Sequence, residues 1–299
     1  MHTQGLRPDY KEAHMDYGYY NGEIAPIDEV KIPLNDRVVY FGDGVYDATM
    51  AYNGTILDFD DHVERFYSSM AKLRIPAPLS ESDLRAELLR VASLGAPDTW
   101  FMLYWSATRA TAPRRHAFPV NIPSNLIITL TEQSGLRDFS TPMSVVTFED
   151  KRFEYCDIKT LNLIPSCLAA QAAAEAGCDE TIFHRGDIVT EGSHSNVSII
   201  KSGSFITAPA DSWILPGIAR KNLIAAARAA GIPVAERHYT LAELLDADEI
   251  IMSSSSAQLS PVTFVDGRPV GGDAPEVLDA IAAKLAAHIN SQFGFEAVR

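Results

Sequence analysis

Cys156-Asp157-Ile158-Lys159-Thr160-Leu161-Asn162 places one lysine among mostly small or apolar neighbours, just before an alanine-rich run, Pro165–Ala176, that reads as a helix stopped by Gly177. Burial disfavours an ammonium ion, so a lysine in such company sheds its proton more readily and becomes a usable amine nucleophile. A lone lysine is more often a solvated surface group, so the segment gains meaning from what accompanies it. Downstream, Val189-Thr190-Glu191-Gly192-Ser193-His194-Ser195-Asn196 sets one carboxylate in a run of glycine and hydroxyl residues between two strand-like runs, which alone reads as a polar turn. Ile214-Leu215-Pro216-Gly217-Ile218-Ala219-Arg220 then opens a helix after glycine, and free amides there attract phosphate, although many helices begin so without a ligand. Ser253-Ser254-Ser255-Ser256 closes a strand with hydroxyls suited to phosphate or to a flexible turn. Upstream, Pro113-Arg114-Arg115-His116 concentrates cations in a basic loop, Arg109–Pro119; arginine grips carboxylates bidentately, and a solvated loop is the plain alternative.

That loop stands out because the chain is acidic. Its 299 residues carry 25 Lys plus Arg against 39 Asp plus Glu, a net charge of −14. Such a chain repels nucleic-acid phosphates and anionic membrane surfaces, which argues against a nucleic-acid binder but not against a small anion in a local cationic pocket. Hydrophobic residues at 46% suffice for a sizeable core, and no apolar stretch approaches the roughly 20 residues of a membrane span. Three cysteines, Cys156, Cys167 and Cys178, show no metal-ligand spacing and suit a reducing cytoplasm, so no metal site is expected.

Periodicity divides the chain into mixed strands and helices without regular βαβ alternation, an α+β arrangement. Residues 1–15 read as an N-terminal extension and 16–133 as a first α+β domain. A polar linker spans 134–142, and 143–299 form a second domain. Tyr17–Ile32 reads as a hairpin about Asn21-Gly22 with Val30 and Ile32 in its second arm. Asp60–Leu73 has helical spacing, with Asp60 or Asp61 as its cap. No GxGxxG opens a helix, so nicotinamide chemistry is not expected.

Taken in order, Phe41-Gly42-Asp43-Gly44-Val45-Tyr46, Pro113-Arg114-x-His116, Cys156-Asp157-Ile158-Lys159-x-Leu161-Asn162, Thr190-Glu191-Gly192-Ser193 and Leu215-x-Gly217-Ile218 resemble the fold-type IV pyridoxal-phosphate enzymes. The Arg-x-His element resembles the D-amino acid (D-alanine) aminotransferase branch. The resemblance runs from about Gly18 to at least Val270 and implies two α+β domains with pyridoxal 5′-phosphate in the cleft between them.

By that resemblance Lys159 would hold the cofactor as a Schiff base and, once released, move the proton between substrate Cα and the cofactor. Glu191 would pair with the pyridine nitrogen and keep it protonated, making the ring an electron sink. Arg65, the amides of Ile218 and Ala219, and Ser255 would bind the phosphate, and Leu215 would back the ring. Tyr46, Arg114 and His116 would grip the substrate carboxylate, the last two reaching in from a neighbouring subunit of a homodimer. The implied activity is transamination between D-amino acids, D-alanine and D-glutamate among them, and 2-oxo acids. Arg114 and His116 weigh against an aminodeoxychorismate lyase, a branched-chain L-amino acid transaminase or an (R)-amine transaminase, which keep the fold and cofactor. Three residues depart from the family pattern. His194 stands where serine is usual, narrowing the pocket or adding a titrating group; Ala219 replaces a threonine; and Asp47 replaces a glutamate.

Overall fold

The computed structural model describes residues 16–298, so the expected extension, 1–15, lies outside them. Strands β1 (Tyr17–Tyr20) and β2 (Glu23–Pro26) form a hairpin in which Asn21 and Gly22 take φ of 47° and 105°, the positive values that two-residue hairpin turns demand. The second arm stops earlier than expected. Proline cannot donate to a ladder, and after Pro26 the chain enters a 3-10 turn, Ile27–Glu29, leaving Val30 and Ile32 outside the sheet. A short helix α1 (Arg37–Phe41) follows, started by the Asp36 carboxylate accepting from the Val38 N–H at 2.9 Å and ended by left-handed Gly42.

Next come β3 (Gly44–Tyr52), β4 (Thr55–Ile56), α2 (Phe59–Leu73), α3 (Glu81–Ala92), β5 (Trp100–Thr108) and β6 (Asn125–Gln133). The strands make an antiparallel six-stranded sheet in the order β2-β1-β6-β5-β3-β4. Val63, Phe66 and Met70 form the buried stripe of α2 and join Val45, Leu103, Trp105 and Ile128 in one core. The cap of α2 is Asp58, not Asp60 or Asp61. Asp58 takes φ 48°, and its carboxylate is drawn away from the helix by His288 Nε2 at 2.8 Å, Gln292 Nε2 at 2.9 Å and Asn222 Nδ2 at 2.8 Å.

A connection over 134–142 leads to β7 (Met143–Glu149), α4 (Ile164–Glu175), β8 (Glu180–Arg185), β9 (Ile188–Gly192), β10 (Asn196–Lys201) and β11 (Ser204–Thr207). The remainder is α5 (Ile218–Ala229), β12 (Val234–Glu236), α6 (Leu241–Leu245), β13 (Glu249–Ser253), β14 (Ser260–Val265), β15 (Arg268–Pro269) and α7 (Pro275–Phe293). The nine strands form a mixed sheet, β12-β11-β10-β13-β14-β7-β8-β9, with β15 beside β14 and parallel pairing only at β11–β12, β14–β7 and β7–β8. Leu223 and Ala227 of α5 pack with Ile281, Leu285 and Ile289 of α7 in a core that also takes Leu57 from just beyond β4. No helix among the described residues is long and apolar enough to cross a membrane.

The two sheets meet at the lysine segment. The Lys159 C=O accepts from the Tyr46 N–H at 2.9 Å, the Leu161 N–H donates to Gly44 O at 3.1 Å, and Val45 bridges Thr160. Gly44 permits that approach, since a Cβ there would lie 2.7 Å from both Ala107 O and Leu161 Cδ1.

Candidate active site

A cleft of about 790 Å³, including its open mouth, is walled by β3, α2, the segment around Lys159, the end of β9, the start of α5 and the loop after β13. Its size suits a small-molecule ligand. Tyr46, Arg65, Lys159, Glu191, Leu215, Ile218, Ala219 and Ser255 all line it. The sequence places these groups far apart, and the fold brings them to one cavity.

Lys159 reaches into this cleft with Nζ 4.3 Å from the centroid of the Tyr46 ring, and Nζ makes no hydrogen bond among the described residues. Burial pushes its pKa down from 10.5 to about 8, assisted by Arg65; Asp47 and Glu191 pull the other way without prevailing. A large fraction of the amine is therefore neutral near pH 8. Burial also raises the Tyr46 phenol to about 12, so its hydroxyl stays protonated as a donor.

Glu191 lies within strand β9 and is 5% exposed, so the polar-turn reading of its segment does not hold. Its Oε1 accepts from Arg152 Nη1 at 2.5 Å, and its Oε2 accepts from the Leu215 N–H and from Asn196 Nδ2, each at 2.9 Å. Burial raises the affinity of this carboxyl for protons, and Arg152 with the Leu215 amide opposes that. Arg152 is itself fixed by Asp150, through Nε at 3.0 Å and Nη2 at 2.9 Å. The result is a buried carboxylate, rigidly aimed, beside one bound cation.

Arg65 is oriented by the fully buried Asp47, whose carboxylate accepts from Nε at 2.9 Å and Nη2 at 2.6 Å while also holding His62 Nδ1 at 2.7 Å. Burial works to raise the Asp47 carboxyl, but Arg65 and His62 outweigh it and hold the group well below the usual carboxylate range. Nearby, the first backbone bond of α5 runs from the Lys221 N–H to Gly217 O, so the N–H groups of Ile218 and Ala219 have no intrahelical acceptor. A Cβ on Gly217 would collide with the Asn196 amide oxygen, so glycine is required at this helix start. Two amides with no helical acceptor, a pinned guanidinium and the Ser255 hydroxyl thus line the cleft together, with Arg65 Nη1 3.5 Å from Pro216 O just before α5, a donor set suited to a phosphate.

Arg114 and His116 do not join them. Both are exposed on the basic loop and pack on Phe41, with the Arg114 guanidinium 5.2 Å from the ring centroid and the His116 ring 5.3 Å from it. Sequence reasoning missed Arg152 and Asn196 as partners of Glu191, and Asp150 as the group that holds Arg152. Each is an isolated polar residue in a loop or strand end, and no spacing rule links it to Glu191.

A model of the class IV amino-transferase family matches residues 44–265. D-alanine aminotransferase of Listeria monocytogenes serotype 4b (strain F2365) is 36% identical over 283 residues, covering 93% of this chain and 95% of that protein. D-alanine aminotransferase of Staphylococcus haemolyticus is 36% identical over 258 residues, covering 85% and 90%. Among solved structures, the branched-chain aminotransferase of the thermophilic archaeon Thermoproteus uzoniensis with norvaline superposes with a TM-score of 0.80 at 21% identity, covering 93% of this chain and 97% of that one. The branched-chain amino acid aminotransferase from Escherichia coli gives 0.81 at 23%, covering 95% of each. At that identity the likeness is one of fold.

Proposed function

The chain belongs to the class IV aminotransferase family, and from that premise we propose that it is a pyridoxal-phosphate transaminase moving amino groups between D-amino acids, D-alanine and D-glutamate among them, and 2-oxo acids. The observation that carries this reading is the amine of Lys159, its proton affinity lowered by burial, in one cavity with the anchored carboxylate of Glu191 and the donor set of Arg65, Ile218, Ala219 and Ser255. The D-alanine aminotransferase relatives at 34–36% identity, spanning most of the chain, support the substrate class.

Pyridoxal phosphate, when bound, supplies an aldehyde carbon to receive the amino group and a ring that takes up the electron pair left at the substrate Cα. Lys159 would hold the aldehyde carbon, Glu191 the ring nitrogen and Leu215 the ring face. Arg65, the Ile218 and Ala219 amides and Ser255 would hold the phosphate; with alanine at 219 the amide remains without a side-chain hydroxyl. Lys159 Nζ, with its lowered proton affinity, accepts a proton and returns it on one face, serving as base and then acid. Glu191, kept in place by Arg152, Asn196 and the Leu215 N–H, offers a fixed negative charge that favours a protonated ring nitrogen. Asp47 acts through Arg65, fixing the direction of its guanidinium.

Tyr46 would meet the substrate carboxylate with its phenol. Arg114 and His116, exposed and outside this chain's own cleft, would serve the cleft of a second copy, giving a homodimer. Exposed Tyr155, Ile164 and Leu168, next to the lysine segment, support that assembly. The domains would be 16–133 and 143–299, joined by 134–142, and the enzyme cytoplasmic, where its three free thiols stay reduced.

The test is a stereospecific panel on purified protein: D-alanine, L-leucine, aminodeoxychorismate and an (R)-amine. Amino transfer from D-alanine to 2-oxoglutarate is expected. Reaction only with one of the other three would overturn the assignment.

A further inference from the structure

His194 occupies the wall of the cleft, and its ring is fixed from below. Nδ1 lies 2.8 Å from Oε2 of the buried Glu180 and 3.0 Å from Ser193 Oγ. Glu180 is otherwise saturated: Ser193 Oγ donates to Oε1 at 2.5 Å, Ser195 Oγ to Oε2 at 2.8 Å, and the Thr181 N–H to Oε1 at 2.7 Å. The other face of the ring is open, for the side chain is 66% exposed and Nε2 has no partner among the described residues.

The remaining cations of the cleft have assigned acceptors. Arg65 is bound to Asp47, Arg152 to Asp150 and Glu191, and Lys159 is the reactive amine. His194, with Ser195, Ser253 and Ser254, also borders a second, more polar hollow that opens from the cleft toward the 134–142 connection. Arg137 lines that hollow with its Nε buried and unpartnered, and Ser253 Oγ is likewise buried without a partner. The anionic groups there are engaged: Asp179 accepts from the Ser144 N–H at 2.8 Å, and Glu180 as above. Arg137 Nε and the Ser253 hydroxyl are thus left without a partner on this side.

We propose that His194 is a specificity-determining residue: its free Nε2–H, with Arg137 in the adjoining hollow, receives the side-chain carboxylate of dicarboxylic substrates such as D-glutamate and 2-oxoglutarate. The inference rests on the transaminase reading above and deepens it. The bond from Nδ1 to buried Glu180 favours the imidazolium form, burial opposes it, and the Lys159 charge, when present, opposes it as well. Lys159 at about 8 contributes less repulsion as it loses its proton. In its imidazolium form His194 has one donor committed to Glu180 and one free, and such a group binds a carboxylate by a charge-assisted hydrogen bond. The α-carboxylate and the cofactor phosphate already have other donor sets, so the second carboxylate is the anion without one.

The experiment uses the cofactor-loaded enzyme and the variants His194→Gln and His194→Ser. In the half-reaction from the amino form, kcat/KM is measured for 2-oxoglutarate and for pyruvate, and the dissociation constants of glutarate and butyrate are measured by calorimetry. In both variants the 2-oxoglutarate to pyruvate ratio is expected to fall about tenfold and glutarate to bind about tenfold more weakly relative to butyrate. An unchanged ratio, or equal losses for both oxo acids, would overturn the assignment. So would weaker pyridoxal-phosphate retention with the ratio intact, which would place His194 at the cofactor. If wild-type protein fails to transaminate D-alanine, the broader reading fails, while the glutarate-to-butyrate comparison still decides the role of His194.

Discussion

Replacing Lys159 by methionine should abolish transamination and, in cofactor-free protein, make the fold more stable. The wild-type amine is an ammonium in solution but is driven from 10.5 to about 8 in the folded chain. At about 1.4 kcal/mol per pH unit that displacement is worth about 3 kcal/mol, and the cleft-facing end of the side chain keeps enough water to reduce it to about 2 kcal/mol. Methionine retains most of the stem volume without the charge, so no large cavity opens. The pH dependence follows from the sign. Between about 8 and 10.5 the unfolded chain holds a proton that the folded one has released, so wild-type stability rises with pH across that window. Below about 8 both states are protonated and the cost is fully present. The advantage of the variant is therefore greatest below about pH 8 and fades toward 10.5. Urea titrations of both proteins, stripped of cofactor, at pH 7 and pH 10 measure it. A variant no more stable than wild type at pH 7, or an advantage that grows with pH, would refute the desolvated-amine reasoning.

Other perturbations test the remaining parts of the site. Glu191→Gln preserves shape but removes the charge facing the ring nitrogen, so kcat should fall at least about 100-fold with cofactor still bound. Glu191→Ala should in addition cost about 1–2 kcal/mol of stability, since the Leu215 N–H and Asn196 Nδ2 lose their acceptor while Arg152 keeps Asp150, and a denaturant melt reads that loss. Asp47→Asn frees Arg65 to rotate, so the dissociation constant for pyridoxal phosphate, followed by absorbance during dialysis, should rise about tenfold. Arg114→Ala should raise KM for amino and oxo acids about tenfold or more and leave cofactor retention as it was; equal loss of cofactor would reassign the residue.

Much of the site was legible because its chemistry is local. A lysine among small residues, a carboxylate before Gly-Ser and a glycine opening a helix are patterns readable over a few positions, and their order along the chain carried the family resemblance. Boundaries set by competition were not legible. Asp60 and Asp61 satisfy every local rule for a helix cap, but α2 begins at Asp58, whose carboxylate is committed to distant His288, Gln292 and Asn222 instead of to the helix amides. The hairpin's second arm was overextended because alternating Val30 and Ile32 looked like a strand, whereas the backbone turns after Pro26.

The residue types able to do the chemistry, the strands and helices that carry them and their sequential order were set by the sequence itself, because propensity, capping and hydrophobic periodicity act over a few residues. Which side chains aim those groups was decided only in three dimensions. Arg152 meets Glu191 from 39 residues away, Asp47 pins Arg65 from 18, and Glu180 lies 13 residues before Ser193, which bonds both it and His194. Arg114 and His116 lie outside this chain's own cleft. Burial and hydrogen-bond satisfaction depend on every group packed nearby, and only the folded chain specifies that set.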